Sequence, residues 1–586
     1  SSSVPWMQST GQTSTQDWSF EPMQGSVMTW ANSSGFLSKK TRAHARSRTT
    51  EHADSTRARA AQILTTATMS VNKARQRLHG GDGPAAGEGA FRLKPVWRRP
   101  VRILYIDIDC LRPDHLGCFG YGRNTSPNID AIAARGTRFS NYYVTDAPCL
   151  PSRTALFTGR TGIHTGVINH GGLNADIRPI GPDRGFNNYA GPFRTWMTTL
   201  VHAGLHTCTV SPFATRHAAW HFLDGFKEVH DPGGRGHERA DEIAPLALDW
   251  LKANAAKDNW FLHVNFWDPH TPYRTPLDYG NPFENDPAPL WLTEDILRAQ
   301  RESYGPHSAR DLWEYGPYDT QKYPRAPAEI ETLADFRKWI DGYDTGIRYT
   351  DDHVGLILDE LRTQGVLDDT IILVSADHGE NQGELNVYGD HQTADHCTSR
   401  VPLIAAGPGI VQGREDTDLH YNVDLAATIC ALAGGEQPES WDGTSFLPAL
   451  TEGRSCGQPY LVVSQGAWSC QRSVRWKNWM MVRTYNAGLK DFPETMLFDI
   501  ESDPHETYNL ASEREDVVLE GLDLLSQWHE EMMDGRPKES DPMWEVMREG
   551  GPFHTRGYLD SYCQVLADTG RAGAAQRMRE REERAR

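Results

Sequence analysis

The chain has 586 residues and a formal charge of −19, from 59 lysines and arginines against 78 aspartates and glutamates. That length exceeds one ordinary domain, and that balance excludes a surface built broadly for nucleic acid while leaving room for local basic patches around an anionic ligand. No apolar run reaches the ~20 residues a membrane helix needs, and the nine scattered cysteines form neither a disulfide framework nor a Cys-x-x-Cys zinc pair. They fit a reducing compartment, and with no basic-then-apolar leader visible the expectation is a cytoplasmic protein.

Residues 1–98 are dominated by Ser, Thr, Ala and Arg, and Gly80-Gly81-Asp82-Gly83-Pro84 resembles a linker. This composition predicts a disordered N-terminal extension with a short helix near 56–78. Order is expected from Val101. Arg102 to Asp109 is an apolar strand that delivers Asp107 and Asp109 on one face at its C-terminal end, where open α/β sheets place their ligands. Ser126 to Gly136 reads as a helix with start and stop signals, and Phe139 to Val144 as a strand. Then comes Cys149, two residues before Pro151, a residue suited to a first helical turn; the cysteine therefore sits at a helix N-terminus, which favours anions.

The alternation continues with helix 194–203, strand 205–210, helix 238–254 and strand 260–266, followed by His270 held between prolines at a strand end. Residues 274–328, rich in Pro, Tyr and Trp, read as an insertion that shapes a substrate mouth. Helical periodicity returns over 330–364. Strand 370–376 then delivers Asp377-His378-Gly379-Glu380, a second acid–histidine cluster at a strand end. Asp395 and His396 read as part of a solvated charged loop. From about 456 the pattern changes to short strands (460–464, 472–484, 496–500) and a helix at 514–534, which predicts a smaller α+β unit. The charged run 571–586 is expected to be a frayed tail.

Cys149-Leu150-Pro151-Ser152-Arg153 with Thr158-Gly159-Arg160 resembles the signature of the type I sulfatases, formylglycine-dependent enzymes of the alkaline-phosphatase-like superfamily. Asp109 with Leu111-Arg112-Pro113-Asp114 is similar to that family's first metal strand, and Ser375 to Glu380 to its second. Leu497-Phe498-Asp499 with Asp503-Pro504 resembles its closing motif. The resemblance implies an α/β fold with a mixed, mostly parallel sheet between helices and a smaller C-terminal α+β domain. It sets a catalytic domain at 99–455 and a C-terminal subdomain and tail at 456–586.

The resemblance also implies a mechanism. A separate maturation enzyme would oxidise Cys149 to Cα-formylglycine, whose hydrate attacks sulfur with one hydroxyl and releases sulfate through the other. Asp109, Asp377, His378 and residue 149 would hold a divalent ion, Ca²⁺ being usual for the family and Mg²⁺ or Mn²⁺ substitutes of similar hardness. Arg153 would hold the hydrate, and His270 would contact the sulfate or protonate the leaving oxygen. His391 stands where a lysine often touches that oxygen, and a cationic histidine there would favour mildly acidic pH. Arg216 and His217 replace the family's Gly-Lys-Trp-His stretch as substrate contacts. Cys110 follows Asp109 where a second acid is common; a thiolate suits Ca²⁺ poorly, so Asp107 is the candidate to compensate. The expected reaction is hydrolysis of a sulfate ester, with a carbohydrate ester as one candidate. The alternatives are a phosphonate monoester or phosphodiester hydrolase on the same core, and an inactive carbohydrate-binding relative.

Overall fold

The computed structural model describes residues 100–178, 193–534 and 540–585. The expected extension 1–98 lies outside the described residues. The apolar run Arg102–Ile108 becomes the central strand of an eight-stranded sheet, buried on both faces as its composition requires. Trp260–Phe266 and Ile371–Ser375 flank it, both parallel. Outward on one side follow His206–Val210 and Glu228–His230; on the other follow Leu403–Ala406, Gly136–Tyr143 and Arg414–Tyr421. Only Leu403–Ala406 runs against its neighbours. The sheet is therefore mixed and mostly parallel, as expected.

Two groups of helices flank it. Leu333–Thr363 starts at a capping box between Thr332 and Asp335, buries a stripe that includes Phe336, Ile340, Tyr343, Ile347 and Val354, and packs on Ala240–Asn254. Cys149–Thr158, buried along its whole length, packs on Asn422–Leu432.

A second, five-stranded sheet contains Leu461–Gln465, Cys470–Trp476, Trp479–Asn486 and Thr495–Asp499. The stretch read as one strand over 472–484 is a hairpin, turned at Lys477 in the left-handed region. The fifth strand is Asp146–Ala147, paired in parallel with Ser464 and Gln465. This second sheet thus grips the chain just before Cys149.

Two expectations are corrected. Residues 571–585 are not a frayed tail: Ala572–Ala585 is a helix that buries Ala574, Ala575 and Met578 against Tyr562 and Leu566. Charge dominated the sequence there and hid an apolar stripe. Asp395 and His396 are not solvated either. Asp395 caps helix His396–Ser399, and His396 is buried against the Tyr143 hydroxyl at 2.9 Å.

Candidate active site

The carboxyl ends of the central strands converge on the start of helix Cys149–Thr158. Asp109 leaves strand Arg102–Ile108, Asp377 and His378 leave strand Ile371–Ser375, and the Ser152 hydroxyl donates to the Asp377 carbonyl, pinning the helix over the strand end. Arg153, fully buried, ties three acids together. Its Nε donates to Asp107 Oδ2 at 2.9 Å, and its Nη1 to Asp109 Oδ2 at 2.9 Å and Asp377 Oδ2 at 2.6 Å. The rings of Phe213 and Trp267 lie 5.1 and 5.9 Å from the guanidinium, which adds cation–π attraction.

One guanidinium does not neutralise three buried carboxylates. Burial would raise Asp109, but Arg153, His270 and His378 hold it below the usual carboxylate range. Asp377 is pushed well above that range by burial and by Asp109 and Asp107, against the pull of Arg153. The donor atoms of Asp109, Cys149, Asp377 and His378 all lie within 4.8 Å of one another, and all four residues are buried. Surplus buried negative charge and two hard oxygen donors beside an imidazole fit a divalent cation. Asp107 gives its Oδ2 to Arg153 and to His263 Nε2 at 3.2 Å, so it braces the arginine, while its Oδ1 is buried without a hydrogen-bond partner among the described residues. Cys110 sits in the left-handed region at φ 59°, with its thiol on Asp109 Oδ1 at 3.2 Å.

His378 directs Nδ1 at the Gly379 carbonyl, 2.8 Å away, which leaves Nε2 at 3.2 Å from Cys149 Sγ. His391 lies over it, ring centroids 4.1 Å apart, and His270 approaches His391 at 5.8 Å. Burial pulls His270 and His378 down to about 4. Burial and His378 pull His391 down to about 3, so a cationic His391 at mildly acidic pH is opposed by its own surroundings. His391 is presented by Gly389, whose φ is +61° and where a Cβ would come within 2.5 Å of Trp339 and Thr271.

Cys149, His270, His391, Arg216 and His217 line one cavity of about 450 Å³. Arg153, Asp109, Asp377 and His378 form the buried centre next to Cys149. Arg216 and His217 end the short helix Phe213–His217, with the Arg216 guanidinium 5.8 Å from the Trp267 ring. Sequence reasoning missed His170, Arg274, His307, Trp468 and His554 on the same walls. His307 Nε2 meets Asp390 Oδ2 at 2.9 Å, and His170 Nδ1 meets His554 Nε2 at 2.9 Å across 384 residues. The one local signal was a turn beside each histidine: Gly171-Gly172, Gly305-Pro306 and Gly550-Gly551-Pro552.

An arginine-braced centre of carboxylates and imidazole, set at parallel strand ends under a cavity with cationic walls, defines a metal-assisted hydrolase of alkaline-phosphatase-like fold. The chain belongs to the sulfatase family, hydrolases of sulfuric esters. Residues 102–435 match the Sulfatase family, and residues 383–533 match the N-sulphoglucosamine sulphohydrolase C-terminal family. It is 26% identical over 480 residues to a choline-sulfatase of Rhizobium meliloti (strain 1021), covering 73% of this chain and 88% of that one. It is 23% identical over 521 residues to an N-acetylglucosamine-6-O-sulfatase of Bacteroides thetaiotaomicron, covering 76% and 89%. A solved structure in complex with its substrate D-glucosamine-2-N,6-O-disulfate has the same fold, with a TM-score of 0.60 at 20% identity over 75% of this chain and all of that one. Among the described residues no helix is long and apolar enough to cross a membrane.

Proposed function

We propose that the chain removes sulfate from a sulfated saccharide, using Cα-formylglycine made from Cys149 by a maturation enzyme and Ca²⁺ held by Asp109, Asp377, His378 and residue 149. The carrying observation is the meeting of those four donors within 4.8 Å beside Arg153. When both groups are in place, the hydrated aldehyde supplies an oxygen nucleophile with a second hydroxyl for product release, and the cation offsets charge on the sulfate oxygens.

The chain's own residues do the rest. Arg153 fixes the carboxylates of Asp109 and Asp377, and the dry, aromatic-sided site keeps that charge pair strong. Arg216, exposed at the cavity wall, attracts the sulfate group. His270 and His391, held neutral by burial, act as hydrogen-bonding and proton-moving groups at the leaving oxygen, not as fixed cations. His391 Nδ1, His217 Nε2, and Arg274 Nε and Nη2 are buried atoms without hydrogen-bond partners among the described residues. A ligand rich in hydroxyl and sulfate oxygens satisfies such donors, and the N-acetylglucosamine-6-O-sulfatase relative acts on a ligand of that kind.

The test is turnover on sulfated mono- and disaccharides beside an aryl sulfate and a phosphonate monoester. Sulfated saccharides are expected to give the highest kcat/KM. A phosphonate monoester turned over faster than every sulfate ester would overturn the reading.

A further inference from the structure

Beyond the cavity that holds Cys149 lies a second hollow of about 330 Å³, lined by Glu314, Tyr315, Trp468, Phe553, Arg556 and Tyr558 with His554. The two share Glu314, Trp468, Phe553 and His554, so they adjoin along a common wall. Three large aromatics on its rim are left in solvent: Trp313 is 38% exposed, Phe553 44% and Tyr558 47%. Tyr315 stacks on Tyr558 with centroids 4.8 Å apart and planes 18° from parallel. Aromatic surface kept exposed at the mouth of a catalytic cavity, and rimmed by polar groups, marks ligand contact.

The shelf is also held rigidly. Apart from Trp468, its lining comes from the insertion and from residues 540–585, the latter lying past the last residue of both family matches. Asp311 joins them: Arg571 donates to its two oxygens at 2.7 and 2.8 Å, and the Tyr562 hydroxyl donates to Oδ2 at 2.8 Å, all buried. Glu314 is held in the left-handed region at φ 49°, at the tip of the turn bridged by Trp313 and Gly316. Such bracing spends little ordering entropy when a ligand arrives.

We propose that this shelf is a second subsite that takes the sugar unit next to the sulfated one, so that the preferred substrate is a sulfated oligosaccharide. The inference rests on the saccharide reading above. Sugar rings lay their C–H faces on exposed aromatic planes while their hydroxyls reach groups such as Glu314 and Arg556. The basic groups of the two adjoining hollows, Arg216, Arg274 and Arg556, outnumber Glu314 and Asp390. That balance favours an anionic, sulfate-bearing chain over a cationic head group.

Tyr558 lines the second hollow and not the first, and its exposure makes it tolerant of replacement. The experiment measures kcat and KM for a sulfated monosaccharide and for the disaccharide that extends it, with wild type, Tyr558→Ala and Tyr558→Phe. The wild type is expected to prefer the disaccharide through a lower KM. Tyr558→Ala should raise that KM about five- to tenfold, the value of one aromatic contact, with kcat unchanged and the monosaccharide unaffected. Tyr558→Phe should restore the wild-type KM. Equal KM for the two substrates, or a parallel rise for both in Tyr558→Ala, overturns the subsite while leaving the saccharide reading intact. Turnover of an aryl or quaternary ammonium sulfate ester with no turnover of either saccharide overturns the saccharide reading, and the subsite with it.

Discussion

Asp541 ties the C-terminal segment to the second sheet, and its loss has a calculable consequence. Its carboxylate receives Arg472 Nη1 and Nη2 at 2.6 and 2.8 Å and His529 Nε2 at 3.0 Å. It also caps helix Pro542–Arg548 through the Met543 peptide N–H at 2.9 Å. Both side chains of the arginine pair are almost fully buried. Asp541→Ala therefore strands a buried guanidinium, at a cost of about 3–5 kcal/mol, and deletes a cap worth about 1 kcal/mol. One carboxylate does both jobs, so the two do not simply add. A loss of about 4 kcal/mol raises the open population of the segment roughly a thousandfold. Hydrogen exchange read on Pro542–Arg548, the helix that Asp541 caps and ties to Arg472, measures it. Because Phe553 and Tyr558 follow this helix in the same segment, disaccharide KM should rise only where the open form becomes a sizeable fraction of the protein. Unchanged protection of that helix, or a loss spread evenly over the eight-stranded sheet, would refute the reasoning.

Arg153→Lys replaces a fork that reaches three carboxylates with one point charge, and kcat should fall by about a hundredfold or more. Near-wild-type turnover would remove Arg153 from the mechanism. Dialysis against a chelator should abolish turnover and lower the melting temperature, with both restored by Ca²⁺; saturation at a hundred times Kd corresponds to about 2.7 kcal/mol of stabilisation. Full turnover in protein shown to be metal-free contradicts the metal assignment. Glu384 is fully buried on Arg112 Nη1 at 2.9 Å and His505 Nδ1 at 2.8 Å. Burial would raise it, but Arg112 and His505 hold it down to about 2. Its folded value lies below its unfolded one, so its contribution of about 3 kcal/mol is complete above about pH 4.5 and fades as pH falls toward 2. Glu384→Gln should melt lower than wild type at pH 7, with the gap closing in that acid window. A gap that is constant with pH would contradict the assignment.

The central machinery was legible because it lies where strands end. Arg102–Ile108, Trp260–Phe266 and Ile371–Ser375 are continuous apolar runs, and the acids and histidines that follow them interrupt the pattern visibly. The companion of those acids, Arg153, was legible through its spacing from Cys149. Its geometry was not: that Asp107 braces Arg153 while Asp109 joins the donor cluster depends on how three strands and a helix meet. The neutrality of His391 was hidden for a similar reason, since burial beside His378 is a property of packing and not of local sequence. The outer wall was least legible. His554 stands hundreds of residues from His170, and Trp468 stacks on it at 4.5 Å from a third segment. The helix Ala572–Ala585 was misread because its arginines and glutamates outnumber the three small or apolar residues that it buries.

The central claim is that residue 149 acts as formylglycine in a metal-bound sulfate ester hydrolase. Mass measurement of the peptide carrying position 149, on protein from its native host and paired with turnover of Cys149→Ala, tests it most directly. The predicted result is a mass in which the thiomethylene of Cys149 has become an aldehyde, activity that scales with that fraction, and a Cys149→Ala variant without turnover. Full activity from protein whose Cys149 is an intact thiol, or undiminished turnover by Cys149→Ala, would contradict the account.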